Sequence, residues 1–173
     1  MNKEIIAGTD GPKILDIVKV PNEILSKNIM STVDDILKWS DENFLSQYQQ
    51  TFDDMIYTME RSGGVGLSAN QVGLELPVFV MNDGIRGAEV MICPQIVETE
   101  GVHTAIEGCL SIPDKGILAP RFWKIRLAYI DRHGVIHKTK RSGWSARIIQ
   151  HEIQHLFGTT LLALEEKDNL NKD

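Results

Sequence analysis

The fold of this chain is decided by the stretch GWSARIIQHEIQHLFG, which occupies residues 143–158. Its apolar residues cover most of the circumference of a helix, so the pattern predicts a buried helix from about Ser145 to Leu156. Gly158 follows as the predicted stop signal. The apolar positions are Ala146, Ile148, Ile149, Ile153 and Leu156.

This helix carries the pattern HExxH at residues 151–155. The spacing puts the imidazoles of His151 and His155 one turn apart on one face, where both can reach a single metal ion. Glu152 lies beside them. The composition makes such a pattern a chance event on the order of 0.01 times per chain. The sequence therefore predicts a metal site with a neighbouring carboxylate.

A catalytic metal normally has three protein ligands and one open position. A third ligand after the helix is disfavoured, because Leu161 stands where a third histidine would follow and few residues remain beyond it. Upstream, Cys109 is the favoured candidate because glycine precedes it in the segment EGCLS, residues 107–111, and permits close backbone approach. His103 stays open. The full set of upstream candidates is Cys93, His103, Glu107, Cys109, His133 and His137.

The remaining chain predicts an α+β fold: antiparallel β-sheets around the central buried helix that carries HExxH, with an N-terminal amphipathic helix. That helix is expected over residues 42–61, capped by Ser40 or Asp41 and stopped by Gly63. Residues 77–81 and 89–93 are predicted strands on either side of a turn at residues 82–84. Residues 124–130 and 135–139 are expected to form an exposed antiparallel hairpin.

Length and charge restrict the class of protein. With 173 residues and no linker-like segment, residues 1–173 are predicted to form one domain, ending in an acidic tail over about 159–173. The net charge of −6 argues against direct nucleic-acid binding. No apolar run is long enough to span a membrane, and residues 1–10 lack a signal-peptide core, so a cytoplasmic protein with free thiols is expected.

A glycine-rich segment, GGVGLSANQ at residues 63–71, contains a GxGxxA variant of the dinucleotide-binding fingerprint. That fingerprint needs a strand before it and a helix after it, whereas here a predicted helix precedes and a predicted strand follows. The order of elements therefore disfavours a nucleotide-binding interpretation.

Together, the three segments GVGLSANQ (64–71), EGCLS (107–111) and HEIQH (151–155) resemble, in order and spacing, the three motifs of peptide deformylase. The resemblance extends over roughly residues 20–158. It implies a metal-dependent hydrolase that removes the formyl group from N-formylmethionine at the amino terminus of nascent polypeptides and releases formate. It also implies one divalent metal ion, Fe²⁺ in the family and often replaced by Zn²⁺ or Ni²⁺.

The resemblance assigns a role to each motif. It implies that Cys109, His151 and His155 hold the metal and that Glu152 acts as general base. The Gln71 side-chain amide and the Leu110 backbone N–H are implied donors to the developing oxyanion. Helix geometry adds the hypothesis that the methionine pocket is lined by Trp144, Ile148 and Val65, beside the substrate-binding glycines Gly66 and Gly108, while Arg147 turns aside into an ion pair. Arg121 is favoured as a structural ion-pair residue.

The chain departs from the family at a few positions. Gln154 stands where most relatives carry aspartate, which removes a charge near the ligands, and Gly116 replaces an arginine of some members. The tail from Glu165 carries two lysines against four carboxylates, so transient proximity to the ribosome would lack a basic docking tail. Bacterial or virus-infected cytosol is the expected setting. Two rival hypotheses remain: a hydrolase of another small amide or an internal peptide bond, and a non-catalytic protein of the same fold.

Overall fold

The computed structural model describes residues 11–30 and 33–165. The expectation about a signal peptide in residues 1–10 and most of the predicted acidic tail, residues 166–173, fall outside the described residues. The helices are α1 (Val33–Trp39), α2 (Glu42–Ser46), α3 (Gln49–Arg61) and α4 (Gly143–Leu156). The strands are β1 (Gly66–Ser68), β2 (Val78–Asn82), β3 (Ala88–Cys109), β4 (Ile112–Ile130) and β5 (Ile136–Ser142). None of the described helices is long and apolar enough to cross a membrane.

The α+β class with an antiparallel sheet is confirmed, but the described strands form one sheet rather than several. Their order is β1-β2-β3-β4-β5, and every neighbouring pair is antiparallel. The sheet is continuous because β3 and β4 run far beyond the predicted strands and remain paired along most of their length. Register shifts in this pair, including one between Ile92 and Gln95, mark bulges that bend the long strands.

Strand β2 explains how the two main helices are arranged. Val78 and Val80 belong to a core cluster with α3, whereas Phe79 and Met81 belong to a second cluster with α4. Because successive side chains of a strand point to opposite faces, α3 and α4 cover opposite faces of the sheet. This burial on both sides accounts for the uninterrupted apolar run of the strand.

The N-terminal amphipathic region differs from the single helix expected over residues 42–61. Helix α2 ends at Ser46 and α3 begins at Gln49, and between them the Tyr48 N–H bonds to the Leu45 carbonyl in a tight turn. Tyr48 keeps right-handed helical dihedral angles, so the apolar spacing continues across the break. The periodicity therefore predicted the buried face correctly but gave no sign of the break between α2 and α3. The Asp41 carboxylate caps α2 by accepting from two backbone N–H groups.

The hairpin of β4 and β5 is present, with the expected turn at Asp131, whose carboxylate accepts from the His133 and Val135 N–H groups. Its predicted exposure is wrong for one face. Ile125, Leu127 and Tyr129 are buried against α4, because the alternation of polar and apolar residues places every second side chain under that helix.

Helix α4 starts two residues earlier than expected and lies almost entirely in the protein interior. It packs against β1, β2, β4 and β5. The helix ends before Gly158, whose left-handed φ of 73° lets the chain turn back close to the Ser26 carbonyl. The histidine-bearing face of α4 is thereby held between the glycine-rich segment and the β3–β4 turn.

Candidate metal centre and active site

A cavity of about 610 Å³ opens where the glycine-rich segment, the end of β3 and helix α4 meet. These three elements carry the three motifs identified in the sequence. With the exception of His155, which is buried behind the wall, every predicted site residue lines this cavity. Those residues are Val65, Gly66, Gln71, Gly108, Cys109, Leu110, Trp144, Ile148, His151 and Glu152.

Three side chains of the types that bind metal ions converge beside this cavity. One donor atom each from Cys109, His151 and His155 lies within 4.8 Å of the others, and the Cys109 Sγ to His155 Nε2 distance is 3.2 Å. A thiolate and two imidazoles suit divalent ions such as zinc, iron and nickel. The arrangement leaves space on the cavity side for a further ligand. The residues present therefore fit a divalent metal ion.

Electrostatics around the two histidines favour a bound cation. Burial lowers the pKa of His155 well below its ordinary value, with the charge of His151 acting in the same direction, so His155 is neutral as a metal ligand must be. Burial also opposes charge on His151, but hydrogen bonds to Cys109 and Glu107 outweigh it and raise its pKa to about 10. Glu107 and Cys109, which favour the charged form of His151, would likewise favour a cation held beside it.

The other upstream ligand candidates point elsewhere. His103 Nδ1 lies 3.3 Å from the Arg147 guanidinium, and His137 Nε2 lies 2.7 Å from Asp131. His133 is exposed. Cys93 is buried at the bulge of β3, and no disulfide joins it to Cys109. Among the candidates weighed from the sequence, only Cys109 joins the two histidines of α4.

Glu107 is a buried anchor for this centre and not a ligand. Its carboxylate accepts from both Arg121 and Arg147 at 2.6–3.0 Å, which are the ion pairs expected for these arginines, and it lies 2.9 Å from His151 Nδ1. Burial alone would raise its pKa, but hydrogen bonds from His151 and Arg121 outweigh this and lower it to about 2. Glu107 thus fixes the ring orientation of His151 through Nδ1, so that Nε2 is the nitrogen on the Cys109 side, where a metal ion could bind both residues.

Glu152 lies beside the three donors with only 3% of its surface exposed. The Ser68 hydroxyl donates to its carboxylate at 2.7 Å, and burial raises its pKa above the ordinary value. The other carboxylate oxygen lies over Gly66, where a Cβ would come within 2.3 Å of it. Gly66 therefore makes room for a carboxylate, which explains this glycine without a nucleotide.

Gln71 places its amide between the sulfur and the turn that follows β3. Its Nε2 donates to Ser111 Oγ at 3.1 Å and to Cys109 Sγ at 3.6 Å, while its Oε1 accepts from the Ser68 N–H. The side chain is thus held with its donor group facing Cys109 and Ser111.

Two residues of this centre were missed from the sequence, Ser68 and Asn70. Asn70 Nδ2 donates to the His155 carbonyl at 2.7 Å and so ties the glycine-rich segment to α4. The spacing S-x-x-Q from Ser68 to Gln71 is a helix-start signature that could have indicated the local turn. No local signal indicates that Asn70 reaches a residue 85 positions away.

The proposed pocket side chains differ in their placement. Ile148 is buried in the cavity wall, whereas Val65 and Trp144 are exposed at its rim. Gln154, the departure from the usual aspartate, donates to the Thr160 carbonyl at 2.8 Å and makes no hydrogen bond with a ligand side chain.

Comparison with known proteins agrees with this geometry. The family model described as polypeptide deformylase matches residues 14–169. The chain is 33% identical over 170 residues to peptide deformylase 1 of Rickettsia conorii, covering 92% of this chain and 91% of the relative. It is 37% identical over 155 residues to the peptide deformylase of Helicobacter pylori, covering 84% and 82%.

Solved structures give the same result. The crystal structure of peptide deformylase from Thermotoga maritima superposes with a TM-score of 0.76 at 32% identity, covering 87% of this chain and 96% of that one. The Met-Ala-Ser-bound class I type b peptide deformylase from Acinetobacter baumannii superposes with a TM-score of 0.75 at 29% identity, covering 88% and 99%.

Proposed function

The chain belongs to the polypeptide deformylase family, the metal-dependent hydrolases that remove the formyl group from the amino terminus of nascent polypeptides, and on this premise we propose how its residues perform that reaction. The observation that carries the proposal is the convergence of Cys109, His151 and His155 beside the buried Glu152 in one cavity. This arrangement supports assigning the first three residues as metal ligands and Glu152 as general base.

A divalent ion held by these donors would polarise the formyl carbonyl and lower the pKa of a neighbouring water molecule. We propose that Glu152 takes a proton from the attacking water and delivers it to the departing amine, with formate and a free amino terminus as products. Its raised pKa suits this work, because a carboxylate that titrates closer to neutrality both accepts and returns a proton readily.

The formyl oxygen gains negative charge during attack and needs donors placed in advance. We assign these donors to the Gln71 side-chain amide and the Leu110 backbone N–H. The Gln71 assignment is supported by its fixed orientation, with Oε1 held by the Ser68 N–H and Nε2 directed toward Cys109.

The methionine side chain is assigned to the cavity, with Ile148 in the wall, Val65 and Trp144 at the rim, and Gly66 and Gly108 beside the peptide backbone. The Met-Ala-Ser peptide bound by the Acinetobacter baumannii structure supports a pocket of this kind. Discrimination against formyl-glutamyl peptides by kcat/KM is the expected consequence, and equal kcat/KM values for formyl-methionyl and formyl-glutamyl peptides would reject the apolar pocket.

We propose Fe²⁺ as the ion in the cell, with Zn²⁺ or Ni²⁺ as replacements, because thiolate and imidazole donors suit all three. Metal analysis of protein purified without oxygen tests this assignment. Formylated nascent peptides are the proposed partners, with transient proximity to the ribosome and no direct contact with nucleic acid or membrane. The cytosol, where nascent chains emerge, is the proposed location.

The decisive experiment measures formate release from formyl-Met-Ala-Ser by anaerobically prepared, ferrous-loaded protein. We expect turnover by the native chain and near-complete loss in Glu152→Gln, which keeps the size of the side chain and removes its charge. Glu89→Gln, a carboxylate outside the cavity, is the matched control and should retain turnover.

Parallel assays with acetyl-Met-Ala-Ser and with an internally bonded methionyl peptide separate the rival hydrolase hypothesis. Hydrolysis of either at a rate comparable with the formyl peptide would contradict deformylation as the specific activity. A protein that binds stoichiometric metal and hydrolyses none of the three would support the non-catalytic alternative.

A further inference from the structure

The paired strands β3 and β4 carry an apolar stripe on their outward face. Directly paired residues of antiparallel strands point to the same side, and every second pair shares a face. Three such pairs lie next to one another here and define the stripe: Val102 with Phe122, Thr104 with Pro120, and Ile106 with Leu118.

The stripe is open to solvent. Ile106 is 72% exposed, Val102 66%, Leu118 53% and Phe122 43%. The opposite face of the same strands holds Ala119 and the buried polar residues that anchor the metal centre, so the ribbon cannot turn its apolar side inward. Single exposed apolar side chains are common, but these four lie side by side on one face and adjoin a cavity.

The stripe is continuous with the active-site cavity at one end. Ile106 belongs both to the stripe and to the cavity lining. Gly116 keeps this junction flat, because a Cβ there would come within 2.7 Å of the Ile106 side chain. At the other end the same face continues with the ion pairs Glu100–Lys124 and Glu98–Arg126. The stripe therefore ends at the cavity on one side and at the two ion pairs on the other.

Its dimensions suit an extended peptide. From Ile106 to Val102 the strand rises roughly 13 Å at about 3.3 Å per residue, and two strands are about 10 Å wide. Four residues of extended chain cover that length. The resulting area of roughly 130 Å² is far below the ~800 Å² per partner that a stable dimer buries, so a second folded copy is a poor occupant.

We propose that this stripe binds apolar side chains of the substrate at about the fourth to seventh residues, after the segment that occupies the cavity. The proposal rests on the deformylase function above and extends the substrate site beyond the cavity. We expect these contacts to act equally on the bound substrate and on the transition state, and contacts of that kind lower KM and leave kcat unchanged.

The test compares two formylated heptapeptides that share formyl-Met-Ala-Ser and differ in the next four residues, alternating valine and alanine in one and serine and asparagine in the other. With the native holoenzyme we expect kcat/KM about tenfold higher for the apolar peptide, through KM alone. Leu118→Asn and Val102→Asn should each reduce that ratio toward one and leave the rate on formyl-Met-Ala-Ser within about twofold.

Ile85→Asn is the matched control, because Ile85 is equally apolar, 80% exposed and outside the stripe, and its ratio should stay at the native value. A ratio near one in the native protein, or a ratio that both stripe variants leave unchanged, overturns the proposal. So does self-association at assay concentrations that Leu118→Asn abolishes, since a second copy would then cover the stripe. Absence of turnover on formyl-Met-Ala-Ser would instead reject the deformylase function itself.

Discussion

Replacing Glu107 by glutamine tests whether the metal centre depends on a buried anion that is not a ligand. The carboxylate receives hydrogen bonds from two buried arginines and lies against His151 Nδ1. Glutamine keeps the shape, removes the charge and turns an N–H₂ group toward donors. Breaking a buried ion pair from one side typically costs about 3–5 kcal/mol, and losing the hydrogen-bond partner of a ligating histidine costs ~10–100-fold in metal affinity. We expect both effects in Glu107→Gln.

The assay separates these two quantities. Urea unfolding at pH 7 after chelation gives the loss in unfolding free energy, and anaerobic competition with a chromophoric chelator gives the metal affinity. Glu89→Gln is the control, since Glu89 also pairs with a buried arginine, Arg141, but lies outside the cavity. The control should lose stability and keep metal affinity within about threefold. Native metal affinity in Glu107→Gln would refute the anchoring role.

The lowered pKa of Glu107 predicts how the stability of the protein changes with pH. Its pKa falls from 4.5 to about 2 on folding, and a depressed pKa contributes stability above the unfolded value that is lost as pH falls through the folded value. A shift of this size corresponds to about 3 kcal/mol. The stability difference between the native chain and Glu107→Gln should therefore shrink as pH falls from about 4.5 to about 2. A difference that stays constant across this window would contradict the argument.

Three further predictions concern the reacting groups. Gln71→Ala should lower kcat/KM on formyl-Met-Ala-Ser by ~10²–10³, the usual effect of losing one oxyanion donor, and a fall below tenfold would count against that role. Gly66→Ala should lower kcat by about 10² because its Cβ would displace the Glu152 carboxylate. In the control Gly11→Ala the added Cβ meets no atom within 4 Å, so kcat should stay unchanged. Equal rates in the two variants would reject the steric argument. The raised pKa of Glu152 predicts that activity rises with pH through its acid limb, and because the Ser68 hydroxyl lowers that pKa, Ser68→Ala should move the limb to higher pH in a pH–rate profile. A limb that stays in place or moves to lower pH would show that another group controls it.

Hydrophobic periodicity along the sequence predicted the helices and strands that bury one face or their whole surface. The periodicity of α4 and its closing glycine are properties of sixteen neighbouring residues, so the helix and its two histidines could be located without tertiary information. The proposed third ligand, Cys109, could not be located in this way, because the pairing of β3 with β4 brings it to the histidines. Six candidates therefore remained possible from residue type alone, and position favoured the one that the structure brings to the helix.

The part of the β3–β4 ribbon over residues 102–107 and 117–122 was missed because its polarity is inverted. In an ordinary half-buried strand the apolar residues face the core, and that rule supports sequence interpretation. Here the inward face holds Glu107 and Arg121 in a buried ion pair, while Val102 and Leu118 point to solvent. A pattern that assigns apolar side chains to the interior cannot recognise such a ribbon. The inward polar residues lie next to the proposed metal site, where Glu107 contacts His151.

Residues of the three sequence motifs are joined to one another by hydrogen bonds. On α4, His151 is oriented by Glu107, Glu152 receives the Ser68 hydroxyl, and the carbonyl of the second histidine receives the Asn70 amide. The His151 side chain, the Glu152 side chain and the His155 backbone carbonyl therefore each have a partner at least 40 residues earlier in the chain. A substitution in one motif leaves a buried polar group of another without its partner, which is costly. We therefore expect substitutions of Glu107, Ser68 or Asn70 to disturb the position of α4 as well as the group that each of them contacts.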